Sequence, residues 1–94
     1  MDGLSPIERK KLKARAHALN PIIHLGGKGL TETVIAEIGR ALDAHELIKV
    51  RAGGMERDKR EAALAEICGK LAAQPVQHIG KVLVLYREKP ATQA

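Results

Sequence analysis

The sequence predicts an α/β fold, a single-domain layered sandwich in which helices pack on a four-stranded mixed sheet. Helical and strand-like hydrophobic periods alternate along the 94 residues in the order αβαβαββ, and a chain of this length supports one core. That core must be aliphatic, because Phe and Trp are absent and Tyr86 is the one aromatic residue. The domain is expected to cover residues 4–88 and to be followed by a frayed tail at 89–94.

The first predicted helix covers residues 5–19. Ser5, Pro6 and Glu8 supply the N-cap, the first-turn proline and the acidic partner of a capping box. Three apolar residues at helical spacing are expected to face the core: Leu12, Ala16 and Leu19. The remaining surface is a cationic rod that carries Arg9, Lys10, Lys11, Lys13 and Arg15.

A glycine-rich loop follows the first predicted strand, residues 21–25, and opens onto the second helix. This Gly-x-x-Gly segment consists of Gly26, Gly27, Lys28 and Gly29. Glycines lack Cβ, so a phosphodiester can approach the main chain closely, and Lys28 adds a mobile positive charge. Thr31 is the expected N-cap, and the first amides and macrodipole of the helix favour an anion at this end. The loop therefore predicts a phosphate site, although the same pattern also occurs in simple turns.

Two enzyme motifs that use glycine loops do not fit this segment. A dinucleotide fingerprint that starts at Gly27 needs a small residue at position 32, which is Glu32. The Gly-Lys-Ser or Gly-Lys-Thr of a phosphate-binding ATPase loop is also absent. A Gly-x-x-Gly loop that clamps a nucleic-acid backbone, as in KH domains, remains compatible with the sequence.

The second helix, residues 31–45, and the second strand, residues 47–52, are expected to expose opposite charges. The helix has one apolar stripe that extends from Val34 to His45, and its exposed face is mainly acidic. In the strand, Lys49 and Arg51 alternate with apolar residues. This alternation predicts helices on one side of the sheet only and a basic face that is open to a ligand.

The third helix is predicted at residues 57–72, with Cys68 in its apolar stripe. Two short strands, 76–79 and 82–87, flank the turn residues Gly80 and Lys81 and are predicted to form a hairpin.

The charged residues are segregated along the chain. Residues 1–30 carry six basic and two acidic groups. Residues 31–56 carry three basic and five acidic groups, and residues 57–94 carry seven basic and four acidic groups. The two basic ends fit a polyanionic partner. Recognition of nucleic acid by aromatic stacking is disfavoured, because Tyr86 stands alone.

The sequence contains no recognisable catalytic or metal-binding arrangement. No local nucleophile–base or paired-carboxylate pattern occurs, and the four histidines and the single cysteine lack metal-ligand spacing. We therefore expect a non-enzymatic protein without cofactors. His45 is expected to cap its helix or to be half-buried.

One cysteine rules out an intramolecular disulfide, and neither a signal peptide nor a membrane span is recognisable, so a cytoplasmic protein without a membrane partner is expected.

From about residue 4 to residue 88, the chain resembles a stand-alone CRM domain (chloroplast RNA splicing and ribosome maturation) of the YhbY type found in bacteria. Four stretches carry the resemblance: RAHALNP (15–21), GGKGLT (26–31), ALDAHELIKV (41–50) and VQHIGKVLVLYR (76–87). The resemblance implies an RNA-binding α/β domain that is similar in fold to the C-terminal domain of translation initiation factor three. It also implies an association with precursors of the large ribosomal subunit, and it places the family's Gly-x-x-Gly loop at residues 26–29.

The leading interpretation is a monomeric protein that assists ribosome assembly by binding structured ribosomal RNA through its backbone, with ribosomal proteins as further partners. The expected RNA-binding residues are Gly26, Gly27, Lys28, Gly29, Thr31, Arg9, Lys10, Lys13, Lys49 and Arg51. One alternative is a module that docks on a ribosomal protein through the acidic face of helix two. An enzyme that binds a small phosphate compound is a third interpretation.

Overall fold

The computed structural model describes residues 4–26 and 28–88. In this part of the chain, the elements follow the predicted order αβαβαββ. They are α1 (Pro6–Ala16), β1 (Ile23–His24), α2 (Glu32–His45), β2 (Leu47–Arg51), α3 (Arg57–Leu71), β3 (Gln74–Ile79) and β4 (Val82–Tyr86). The tail predicted at residues 89–94 lies outside the described residues.

The four strands form one mixed sheet in the order β1-β2-β4-β3. β1 runs parallel to β2, with Ile23 opposite Val50, and the other neighbours are antiparallel. The tight turn between β3 and β4 contains Gly80 at a φ of +56°, a region that glycine enters without steric cost. The mixed sheet and the hairpin are therefore confirmed.

Helices cover both faces of this sheet. On one face, buried residues of α2 and α3, such as Ile38 and Ile67, pack against β2 and β4. On the other face, Leu12 and Ala16 of α1 pack against Leu47 and against apolar residues of β3 and β4. The prediction that one side only is covered was wrong. Because Leu47 points away from the face that contains Ile48, both faces need apolar cover at this end of β2.

α1 begins as predicted and ends earlier. In its capping box, Ser5 N donates to Glu8 Oε1 at 2.9 Å, and Glu8 N donates to Ser5 Oγ at 3.1 Å. The helix stops at Ala16, and the next amides bond three residues back, including Leu19 N to the Ala16 carbonyl oxygen at 3.0 Å. These tighter bonds break the α-helical spacing, so Leu19 is 37% exposed and its predicted place in the core was wrong.

α2 has the predicted N-cap, because Val34 N donates to Thr31 Oγ1 at 3.1 Å. The predicted apolar stripe is buried or half-buried as far as Leu42, which is fully buried. His45 does not belong to that stripe, because it is exposed at the last position of the helix, where Glu46 turns the chain into β2 at a φ of +64°. The predicted C-terminal position of His45 is correct, and its half-burial was wrong.

α3 ends in a left-handed turn at Ala72, whose φ is +53°. The next amide, Ala73 N, donates to the Cys68 carbonyl oxygen at 3.0 Å, which is the long bond of a Schellman ending. Glycine is the usual residue in this conformation, so the alanine at this position is strained.

Arg87 connects the two helices that share one face of the sheet. Its Nη1 donates to the Leu71 carbonyl oxygen at 2.9 Å, and its Nη2 donates to the Gly39 carbonyl oxygen at 3.0 Å and to Asp43 Oδ1 at 2.7 Å. Gly39 also allows α2 and α3 to approach closely, since a Cβ there would lie 3.4 Å from Leu71 Cδ2. The guanidinium therefore fixes α2 to α3 and both helices to the end of β4.

Candidate nucleic-acid interface

The glycine loop lies where β1 ends, next to the end of β2. Leu25 N donates to the Arg51 carbonyl oxygen at 2.8 Å, and Gly29 N closes the loop by donating to the Gly26 carbonyl oxygen at 3.0 Å. Gly29 has a φ of +71°, and Lys28 is exposed at the tip. A Cβ on Gly26 would have no atom within 4 Å, so open space surrounds this part of the main chain. Gly27 lies outside the described residues.

The loop faces the turn that connects β2 to α3. Between them lies a cleft of about 530 Å³, lined by Lys28, Gly29, Gly54, Met55, Glu56 and Lys59. We call this space the two-turn cleft. Lys59 is a basic residue that the sequence analysis did not select. The signal that could have identified it is its place in the first turn of the helix predicted from residue 57, shortly after the turn at Gly53 and Gly54.

The turn itself is held by Arg60 of α3. Arg60 Nη1 donates to the Met55 carbonyl oxygen, and Arg60 Nε donates to His78 Nε2 at 3.0 Å. His78 Nδ1 lies 3.7 Å from Glu61 Oε2. These contacts connect one wall of the two-turn cleft to α3 and β3.

A second group of basic residues lies on the face of the sheet that α1 partly covers. Lys49 is half-buried there and lines a shallow depression of about 90 Å³. The other lining residues are Lys13, Ala16, His17, Gln77 and Ile79. The structure therefore brings together two of the predicted residues, Lys13 of α1 and Lys49 of β2.

Arg51 extends this group towards the glycine loop. It is exposed, and it shares the face of Lys49 because the two residues are two positions apart on β2. A Cβ on Gly53 would lie 3.8 Å from Arg51 Nε and 4.0 Å from Lys81 Cδ, so these two side chains flank Gly53. Lys81 was missed by the sequence analysis because it lies in the turn of the distant β3–β4 hairpin. Ala52 N donates to the Lys81 carbonyl oxygen at 2.7 Å and holds that turn beside Gly53.

The other two predicted residues of α1 are placed differently. Lys10 is exposed and lies about 200° around the helix from the buried Leu12, so it points away from the sheet. Arg9 is half-buried and lies one turn before Lys13, farther from the end of α1 that borders Lys49. Neither residue lines the two-turn cleft or the Lys49 depression.

The exposed carboxylates of α2 lie on the opposite side of the sheet from the basic group around Lys49 and Arg51. The carboxylates that α2 exposes, Glu32, Glu37 and Asp43, belong to a helix that packs on the opposite face from α1. Among the described residues, the lining of the Lys49 depression contains no carboxylate, and the two-turn cleft contains one, Glu56.

Within residues 4–26 and 28–88, the buried Cys68 and the half-buried Tyr86 have altered acidity, and neither adjoins the glycine loop. Burial raises the pKa of the Cys68 thiol to about 11, which keeps it protonated and unreactive at neutral pH. Cys68 lies in the core, as predicted. The pKa of Tyr86 is raised by desolvation and by nearby carboxylates, first among them Glu46.

Residues 4–26 and 28–88 contain no group of three or more His, Cys, Asp or Glu residues that could hold a metal ion. Within the same residues, no helix is both long enough and apolar enough to cross a membrane.

Comparison with known proteins identifies relatives that cover most of the chain. An RNA-binding protein of Haemophilus influenzae is 48% identical over 87 residues, which are 93% of this chain and 88% of that protein. The protein named probable RNA-binding protein YqeI of Bacillus subtilis is 40% identical over 82 residues, or 86% of this chain and 84% of that one. The solution structure of a hypothetical protein from Staphylococcus aureus superposes with a TM-score of 0.83 at 29% identity, and the match covers 96% of this chain and 94% of that one.

The sequence profile of one family matches residues 4–87, which contain all seven elements of the fold and the glycine loop. This match and the relatives above agree with the resemblance found in the sequence. The chain belongs to the CRS1 / YhbY (CRM) domain family.

Proposed function

We propose that residues 4–88 form a domain that binds structured RNA through its sugar–phosphate backbone, and that the RNA is ribosomal RNA in a precursor of the large subunit. The observation that carries this proposal is the position of the Gly-x-x-Gly loop, which lies at the same end of the sheet as Arg51 and Lys81. The relatives that are named RNA-binding proteins support it. In this role the protein acts as a cytoplasmic monomer and assists assembly without catalysing a reaction.

Phosphate binding would begin at the loop. The open space around Gly26 allows a phosphate oxygen to reach main-chain amides, and the Lys28 ammonium supplies a charge-assisted contact. Thr31 is occupied as the N-cap of α2, so its role is to hold the start of that helix beside the loop. The loop therefore binds one phosphate and fixes the position of the RNA strand.

Neighbouring phosphates would follow the basic face of the sheet. Lys49 and Arg51 are two residues apart on β2, a separation of about 6.6 Å along the strand. Lys13 extends this row towards α1, and Lys81 extends it towards the hairpin turn. Such contacts position a nucleic acid without reading its sequence, which suits folded RNA whose bases are already paired.

The acidic face of α2 supports a second candidate function. Its exposed carboxylates lie on the side away from Lys13, Lys49 and Arg51, so a basic ribosomal protein could dock there while RNA occupies the other side. Docking of this kind would not depend on the glycine loop, and this independence separates the two functions.

The test replaces Gly26 and Lys28 by Glu. Gly26 is preferred to Gly29 because its Cβ would meet nothing within 4 Å and its φ is not positive, so the change adds charge without backbone strain. The matched control replaces Gly69 and Lys70 by Glu. This pair is exposed on α3, a Cβ on Gly69 also meets nothing within 4 Å, and the change in net charge is the same.

Each variant is expressed with a tag, and the lysate is sedimented through sucrose gradients at low and raised salt. We expect the wild type and the Gly69/Lys70 control to migrate with large-subunit precursors at low salt, and the Gly26/Lys28 variant to remain at the top. Migration that is unaffected by the loop change would favour docking on protein. If the wild type does not migrate with any ribosomal particle, the proposed function is contradicted.

A further inference from the structure

The two-turn cleft contains one group that does not suit a site for phosphate alone. Lys28 and Lys59 attract phosphate, whereas the Glu56 carboxylate repels it. A cleft that bound only the RNA backbone would gain affinity if this negative charge were absent.

Within residues 4–26 and 28–88, no hydrogen bond or ion pair accounts for the Glu56 carboxylate. Glu56 is the N-cap of α3 with extended backbone angles, but its side chain accepts no hydrogen bond from the amides of the helix. It also forms no ion pair with Lys59, although the two residues are separated by three positions and share a side of the first turn. The carboxylate oxygens are therefore free to accept hydrogen bonds from a ligand.

We infer that the two-turn cleft binds one unpaired guanine of the RNA. The N1–H and N2–H2 groups on the Watson–Crick edge of guanine are adjacent donors, and they match the two acceptor oxygens of Glu56. The neighbouring O6 accepts a hydrogen bond from the Lys59 ammonium. The guanine must be unpaired, since these same groups are occupied in a base pair.

The remaining walls of the cleft suit a nucleotide. Lys28 lies on the side of the glycine loop and binds the phosphate of this nucleotide, and the half-buried Met55 offers a polarisable thioether to the base. The volume of about 530 Å³ lies within the usual range for small-ligand sites. Arg60 and His78 keep the wall at Met55 in place before the RNA arrives.

This inference rests on the proposed RNA-binding function and adds base recognition to it. The loop and the basic face hold the RNA backbone, and the cleft selects the base at one unpaired position. Because Glu56 accepts the hydrogen bonds of the base, its substitution tests base recognition separately from the phosphate contacts.

The test measures binding of three RNA hairpins with an identical stem and a loop of adenines in which one position is guanine, inosine or adenine. We expect the wild type to bind the guanine hairpin about tenfold more tightly than the adenine hairpin. Inosine lacks the N2 amino group and should show an intermediate affinity. Glu56→Gln removes one acceptor and the negative charge, so the guanine preference should fall to about twofold while the adenine hairpin binds at least as well.

Glu32→Gln is the matched control. Glu32 is also an exposed glutamate at the start of a helix, so the change removes the same charge near the same kind of helix dipole, and Glu32 does not line the two-turn cleft. This variant should keep the full preference for guanine. Thermal unfolding of both variants reports any stability that the charge–dipole interaction contributes.

Equal binding of the three hairpins by the wild type, or a guanine preference that survives Glu56→Gln, would overturn the inference. The Gly26/Lys28 variant separates this failure from failure of the proposed function. If hairpin binding depends on the loop and shows no base preference, the proposed function stands and the guanine site does not. If no hairpin binds, both proposals fail.

Discussion

Removal of Lys49 and Arg51 should reduce the salt dependence of RNA binding by a predictable amount. Lys49 is half-buried beside Lys13, and Arg51 is exposed beside Lys81, so both side chains lie on the one face of the sheet assigned to phosphates. The double variant Lys49→Gln/Arg51→Gln removes two charges from this face and leaves the glycine loop unchanged.

The magnitude follows from counterion release. If the loop and the basic face neutralise about five phosphates, the slope of log K against log salt is about −3.5 to −4.5, and affinity falls on the order of 100- to 500-fold between 50 and 200 mM salt. Two fewer contacts reduce the slope to about −2.1 to −2.7, so the same change in salt lowers affinity only about 20- to 40-fold. At 50 mM salt the variant should already bind more weakly than the wild type.

The assay is a titration of a fluorescent ribosomal RNA fragment at four salt concentrations. Arg40→Gln/Lys70→Gln is the control, because it lowers net charge equally and removes exposed basic residues from α2 and α3, on the other side of the domain. The control should keep the slope of the wild type. A slope that changes equally in both double variants would mean that total charge governs binding, and the assignment of phosphates to the sheet face would be refuted.

Four further predictions concern stability and reactivity. Arg87→Lys should lower the free energy of unfolding by about 1–3 kcal/mol, because the single nitrogen of an ammonium lacks the planar fork that reaches the part-buried Leu71 and Gly39 carbonyls and the Asp43 carboxylate. Arg40→Lys should have no measurable effect in the same thermal melts. Ala72→Gly should raise the free energy of unfolding by about 1 kcal/mol, because glycine relieves the strain of a φ of +53°. Urea titration measures this change, and an unchanged unfolding midpoint would contradict the strain. At pH 8, Cys68 should react with a disulfide reagent on the order of a hundredfold more slowly in the native protein than in urea, because burial raises its pKa to about 11. The unfolded thiol ionises at lower pH than the folded one, so stability should decrease as pH rises from about 9 to about 11, and Cys68→Ala should lessen that decrease.

The elements that the sequence predicted correctly are those whose signals are local. The capping box at Ser5 and the cap at Thr31 depend on residues three positions apart, and both form as expected. The αβαβαββ order depends on hydrophobic periods within single segments, and it was also correct. Such signals are complete within one turn of helix or one strand, so tertiary contacts had little opportunity to override them.

Most of the errors arose where distant segments meet, whereas the wrong placement of Leu19 follows from the local end of α1. Cover on both faces of the sheet depends on where α1 packs, and the alternation within β2 cannot show this. Lys59 and Lys81 are ordinary surface lysines in the sequence. They become candidates only because the start of α3 lies beside the glycine loop and the β3–β4 turn lies beside Arg51. Lys10, by contrast, was selected from a dense basic run, although the helix turns it away from the sheet.

The early end of α1 explains why the basic face is open at all. α1 starts near Gln74 and Tyr86, and it ends near Lys49 and Gln77, so it advances along the sheet towards Arg51. Three more helical residues would have extended it by about 4.5 Å over that end of the sheet.

Instead, the three-residue bonds after Ala16 end the helix, and the chain leads to the edge strand β1. β1 is only two residues long, and the glycine loop that follows it lies directly beside Arg51, the last residue of β2. One local change in backbone hydrogen bonding therefore has two effects. It leaves the basic half of the sheet face exposed, and it brings the loop to that half, so the two parts of the proposed RNA site have a common structural cause.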